Sequence, residues 1–232
     1  TSLKHYAVNN QEYRRLTISS EVDERALREI YLTAFETTVK KSQPYTLMCC
    51  YNLINGVHGS DNKKILSDIL RDEWGFDGIV ISDWGAINDR VKGIVAGLDL
   101  EMPSSNGIND KEIQKAVEEG RLSMEDLDKV VTRMLKFIYK CYENRSKHEG
   151  VKADYDKHYE TACEVATKGA VLLKNEDSIL PLAKGSKIAV VGALAKEMRY
   201  QGSGSSRINP YKLTSFTDYL DEIKADYAYA AG

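Results

Sequence analysis

Cysteine is scarce and unpatterned in this chain. There are four, Cys49, Cys50, Cys141 and Cys163, with no CxxC pair and no metal-ligand spacing. Their plain reading is free, buried thiols in a reducing compartment, so a cytoplasmic location is expected. Histidine is equally sparse and scattered, and no metal or cofactor is called for. A basic stripe is also lacking: net charge is −3 with 29% charged residues, and nucleic acid is not an expected partner. No apolar run is long enough to cross a bilayer, which argues against a membrane role. The chain lacks an initial Met and opens at once on patterned sequence, "TSLKHYAVNNQE". Sequence is expected to be missing upstream, and downstream too, because the chain stops within an element.

What is present is a core-forming chain of 232 residues with 42% hydrophobic content, enough for one large domain or two unequal ones. Ser20 with Asp23 three residues on predicts a capped amphipathic helix over 21–41, with Leu27, Ile30, Tyr31, Ala34 and Phe35 at helical spacing. "TLMCCY" at 46–51 reads as a strand and "NLINGVHGS" as a loop. Helix over 62–74, strand over 78–82, helix over 88–96, a short strand or strand end at "LDLEMP" and helix over 110–119 follow. Strands that are apolar without alternation imply parallel β covered on both faces. That fits an open doubly wound sheet or part of a (β/α)8 barrel, and periodicity does not separate them. Ser123 caps a long helix whose apolar stripe includes Cys141, which is therefore expected in the core. A polar stretch, "NRSKHEGVKADYD", is the linker candidate. Beyond it, a helix over 159–172, a strand at "KIAVVGA", a Gly/Ser loop, a helix over 214–223 and the strand "DYAYAAG" begin a second α/β unit.

In parallel α/β folds, reactive groups gather where strands end. Asp83 and Trp84 directly follow the apolar "GIVIS". An Asp there often does no more than cap the next turn, but an indole beside it offers a flat wall suited to a sugar face. Tyr51 and Asn52 follow another strand, and Asp99 and Glu101 flank "LDLE". Lys4 and His5 form a dipeptide able to clamp hydroxyls, or an ordinary surface pair. Tyr51 is placed to donate its phenol to a carboxylate, or simply packs with a wet hydroxyl. "GSGSS" at 202–206 invites a phosphate cradle. It falls about nine residues after its strand, whereas a dinucleotide fingerprint follows the strand directly.

Taken in order, "KHYAVNNQE", "LMCCYNLINGVHG", "LRDEWGFDGIVISDWGA", "AGLDLEMP", "ATKGAVLLKNEDSILPL" and "QGSGSSRINP" resemble glycoside hydrolase family 3, especially its bacterial β-glucosidases. The resemblance covers nearly the whole chain. It implies an α/β fold: the C-terminal part of a (β/α)8-type barrel over 1–143, a linker over 144–158, and the start of an α/β sandwich over 159–232. It implies Asp83 as nucleophile of a retaining glycosidase. Lys4, His5, Arg15, Met48, Tyr51, Trp84 and Ser205 are implied as sugar-binding residues. The acid/base Glu would lie outside this chain, and neither Glu176 nor Glu197 is placed for it. The implied partner is a small β-glucoside or oligosaccharide; homo-oligomerisation or a complementing chain is left open. "AVNNQE" after the Lys-His pair departs from the "PGHG"-like run of the N-acetylglucosaminidase branch. Three alternatives stay open: a β-xylosidase of the same family, a non-catalytic sugar-binding remnant, and a phosphate-binding α/β enzyme using "GSGSS".

Overall fold

The computed structural model describes residues 1–232, which divide into two compact units, Thr1–Glu149 and Gly150–Gly232. In the first unit β1 (Ser2–Tyr6), β3 (Thr46–Cys49) and β6 (Ile79–Ile81) form a parallel sheet in the order β1-β3-β6. Leu3 pairs with Leu47, and Leu47 with Val80. "LDLEMP" adds no full strand, only a parallel bridge from Leu100 to Ile81. Leu47, Cys49, Ile79 and Val80 are all buried. A sheet covered on both faces explains why these strands carry apolar residues without alternation.

A smaller sheet joins β2 (Ser19–Ser20), β4 (Leu53–Ile54) and β5 (Val57–His58). The predicted loop "NLINGVHGS" thus contains a hairpin. Its turn, Asn55-Gly56, has φ of 49° and 83°, the left-handed pair that suits the twist of a two-residue hairpin.

The helix expected over 21–41 begins later and is composite. Ser20 belongs to β2, and the cap is Asp23, whose side chain accepts the Ala26 amide. Three segments follow: α1 (Glu24–Ala26), a π-type turn (Leu27–Tyr31) and α2 (Thr33–Ser42). The wide turn shows in the bond from the Leu32 amide to the Leu27 carbonyl, 2.9 Å. A second π-type segment, Lys64–Glu73, carries Ile65, Leu66, Ile69 and Leu70 into the core. There Tyr6 packs edge-on against Phe35 and Trp74 and donates its hydroxyl to the Ile65 carbonyl.

The helices α3 (Arg90–Ala96), α4 (Ile108–Glu118) and α5 (Met124–Lys147) follow. Asp89 caps α3, and Gly97 ends it at φ 108°. Ser123 caps α5 as expected. Val91, Ile94, Ala116, Leu122 and Val130 form a second apolar cluster. Only the first turns of α5 join it, and Leu135, Ile138 and Tyr142 stay largely exposed. Cys141 lies on that later stretch and is exposed, as is Cys163, so the expected burial holds for Cys49 and Cys50 alone.

The second unit contains α6 (Tyr155–Gly169), β7 (Ile188–Val191), α7 (Phe216–Glu222) and β8 (Tyr227–Ala230). Strands β7 and β8 run parallel, Ile188 opposite Tyr227 and Val191 opposite Ala230. Ser215 and Asp218 form a reciprocal capping box on α7. At "SILPL", where a turn with a short strand is the sequence expectation, a 3-10 turn, Glu176–Ser178, takes in the first residue and no strand forms. No helix is long and apolar enough to cross a membrane.

Candidate active site at the carboxyl ends of the parallel strands

Asp83 sits two residues beyond β6 and is only 8% exposed. A carboxylate with so little water needs hydrogen-bond partners within the protein. Its Oδ1 accepts the Trp84 amide at 2.6 Å, and its Oδ2 faces His5 Nε2 at 3.2 Å. β1 therefore supplies the imidazole and β6 the carboxylate, across the intervening β3. Trp84, next in the chain, is 65% exposed. A turn holds the pair: the Ala86 amide bonds the Asp83 carbonyl and the Gly85 amide bonds the Met102 carbonyl.

Tyr51 enters from the end of β3. Its hydroxyl donates to the Trp84 carbonyl at 2.7 Å. The phenol was expected to serve a carboxylate; it stands within hydrogen-bonding reach of Asp83 as well as bonding the backbone beside it. Burial raises its pKa, and the nearby charge of Asp83 raises it further, so it remains a donor at neutral pH. Arg15 lies over the Tyr51 ring at 4.6 Å and pairs with Glu12 at 2.7 Å. Met48 is half-buried on β3, opposite Ile81. Lys4 is exposed beside His5 in the chain. Ser205 belongs to the second unit, in an exposed turn, Gly204–Ser206.

Other strand-end groups prove structural. Asn52 is buried and stitches loops together, its amide donating to the Val8 carbonyl, Ser20 Oγ and the Leu53 carbonyl. Asp99 is no site residue either. Its side chain is fully buried, accepting from Arg71 at 2.6 Å, Arg133 at 2.5 Å and the Val80 amide at 2.8 Å. Glu101 accepts from the Asn109 amide. Arg71 and Arg133 were not foreseen. They stand 28 and 34 residues from Asp99, and no local pattern announces such a triad. Cys49 and Cys50 lie close to Asp83, but burial pushes their thiols up to about 12 and about 11, far from thiolate chemistry. No cluster of three or more His, Cys, Asp or Glu side chains is arranged to hold a metal ion.

A paired carboxylate and imidazole, a phenol and an exposed indole gather at the carboxyl ends of the strands. The chain belongs to glycosyl hydrolase family 3: residues 1–137 match the Glycosyl hydrolase family 3 N terminal domain and residues 170–229 its C-terminal domain. It is 52% identical over 222 residues to thermostable beta-glucosidase B of Acetivibrio thermocellus, covering 96% of this chain and 29% of that protein. An exo-alpha-(1->6)-L-arabinopyranosidase of Bifidobacterium breve is 50% identical over 98% of this chain and 31% of its own length. The crystal structure of a Bifidobacterium adolescentis GH3 beta-glucosidase superposes with a TM-score of 0.92 at 50% identity, covering 99% of this chain and 33% of that one. Beta-glucosidase 3B from Thermotoga neapolitana, solved in complex with glucose, gives 0.89 at 39% identity, over 98% of this chain and 33% of that one. The chain thus spans about a third of the length of these relatives.

Proposed function

We propose that this chain carries the nucleophile and part of the sugar subsite of a retaining β-glucosidase. Residues 1–143 contribute part of a (β/α)8-type barrel, 144–158 a linker and 159–232 the start of an α/β sandwich. The carrying observation is Asp83 at a rigid strand end, held by His5 and the Trp84 amide and flanked by an exposed indole. In this reading Asp83 attacks the anomeric carbon of a β-glucoside or a small oligosaccharide. An acid protonates the leaving oxygen, and the glycosyl ester is then hydrolysed with retention. Retention requires the second carboxyl roughly 5–5.5 Å away; Asp99 and Glu101 are engaged elsewhere, and we assign the role to no residue of this chain. Lys4 and His5 bond sugar hydroxyls, Trp84 and Met48 line the ring, and Arg15 orients Tyr51. The free thiols support a reducing, cytoplasmic compartment.

The test is proton NMR of aryl β-glucoside hydrolysis by the enzyme that carries this chain. β-Glucose as first product supports the reading; α-glucose refutes retention. No turnover, with glucose still bound, supports a sugar-binding remnant instead.

A second reading has its own support in the arabinopyranosidase relative, 50% identical over 98% of the chain. An α-L-arabinopyranoside also presents an equatorial glycosidic bond. It differs from a β-glucoside in the orientation of one hydroxyl and in lacking the exocyclic hydroxymethyl group. Relative kcat/KM on the two aryl glycosides decides between them.

A further inference from the structure

Ser82 stands between Ile81, the last residue of β6, and Asp83, and it is fully buried. A hydroxyl without water needs partners within the protein. Both come from one residue of a neighbouring segment. Ser82 Oγ accepts the Met102 amide at 2.8 Å and donates to the Met102 carbonyl at 3.1 Å.

The place of this exchange in the short ladder gives it meaning. The Leu100 amide bonds the Val80 carbonyl at 3.0 Å, and the Ser82 amide bonds the Leu100 carbonyl at 2.9 Å. These are the evenly spaced bonds of a parallel pair, and the next in the series would run from the Met102 amide to the Ser82 carbonyl. The Ser82 hydroxyl takes that amide instead. A side-chain oxygen at this point ends the ladder without leaving a buried amide unpaired. It also frees the backbone to turn away from the sheet at Asp83.

Met102 holds the far side of the turn as well, because its carbonyl accepts the Gly85 amide at 2.9 Å. Ser82 and Gly85 thus fasten Asp83 and Trp84 from both sides onto a single residue. Within that span the Ala86 amide bonds the Asp83 carbonyl, and the Trp84 amide bonds Asp83 Oδ1.

We propose that Ser82 is a positioning residue for the nucleophile: its hydroxyl stops the β6 ladder and fixes the angle at which Asp83 leaves the sheet. Buried as it is, Ser82 acts through Asp83 and not on the sugar. The inference rests on the glycosidase reading above and adds to it a residue outside the sugar-binding set.

The test uses the enzyme that carries this chain, as wild type, Ser82→Ala, Ser82→Cys and Ser67→Ala. Ser82→Ala removes both bonds to Met102. Ser82→Cys keeps the shape with only a weak donor and acceptor, and it decides the matter if the alanine variant does not fold. Ser67→Ala is the control, since it removes a comparable bond, from the Ser67 hydroxyl to the Ala96 carbonyl, among the helices. Calorimetric titration with glucose gives the dissociation constant and the number of competent sites, and kcat on an aryl β-glucoside is expressed per titrated site. This removes the folded fraction from the comparison. Misplacement of a reacting group by about 1 Å costs up to about 10²-fold, so Ser82→Ala is expected to lose about 10- to 100-fold in kcat per site while glucose affinity stays within about 2-fold. Ser82→Cys is expected to fall in the same direction but less steeply, and Ser67→Ala to keep its kcat per site. Unchanged kcat per site in the Ser82 variants that fold, an equal fall in Ser67→Ala, or a parallel loss of glucose binding overturns the positioning role and leaves the glucosidase reading standing. A wild-type enzyme inert on aryl β-glucosides overturns that reading and this one with it.

Discussion

His5 Nε2 lies 3.2 Å from Asp83 Oδ2, although their strands, β1 and β6, are separated by β3. The contact ties the two outer strands of the sheet together at their carboxyl ends. It also brings an imidazole nitrogen to the carboxylate from outside its own loop. His5→Ala removes that imidazole from a half-exposed position, with little packing lost. The expected outcome is a fall in kcat of about 10²-fold, with a melting temperature within a few degrees of wild type. A full-activity variant would show that the contact has no part in turnover.

Tyr51 acts through the Trp84 carbonyl and the neighbouring Asp83 carboxylate. Tyr51→Phe keeps the ring under Arg15 but frees the Trp84 carbonyl. A neutral hydrogen bond of this kind contributes about 1 kcal/mol, so the expected loss is about 5-fold in kcat. KM is expected to move much less, because the hydroxyl steadies the nucleophile's turn rather than the substrate. A change confined to KM would instead place the hydroxyl on the substrate.

Asp99 is a stability residue. Breaking a buried ion pair by removing one partner costs about 3–5 kcal/mol, and Asp99→Ala strands two guanidinium groups at once. The expected drop in melting temperature is roughly 10 °C. Replacing Arg71, Asp99 and Arg133 together with apolar residues of similar size should recover much of it. If Asp99→Ala melts like wild type, the triad does not hold β6 in place.

The buried thiols set an alkaline limit. Cys49, Cys50 and Tyr6 are all raised by burial. Above pH of about 9, unfolded thiols release protons that the folded protein retains, so stability falls as pH rises through the window between the two values. Below that window the stability is fully present. The urea midpoint should be flat near pH 8 and decline above pH of about 9. In the same samples, iodoacetamide at pH 8 should modify Cys141 and Cys163 and spare Cys49 and Cys50. A midpoint unchanged into strong alkali would contradict the assignment.

Local signals carried much of this architecture. Ser123, Gly97 and the apolar run at 79–81 each act within a few residues, and each stands where its chemistry demands. Asp83 stood out because an indole follows it at the end of a buried strand, whereas a carboxylate alone at that position often only caps a turn. What the sequence hid was set by distance. The triad around Asp99 joins three elements, and the partner of Tyr51 is a carbonyl 33 residues away. The hairpin at Asn55-Gly56 shows the opposite failure, a local signal present but passed over because its strands are only two residues long. Cys141 misled because an apolar stripe records what a helix is able to bury, not what it meets.

The most direct measurement is covalent trapping. A 2-deoxy-2-fluoro β-glucoside with a good leaving group slows breakdown of the glycosyl ester more than its formation. Peptide mass spectrometry of the inactivated enzyme should find the fluorosugar on Asp83, with none on the Asp83→Ala variant. A label on any other carboxylate, or a persistent label after Asp83 is replaced, would contradict the assignment of Asp83 as the nucleophile.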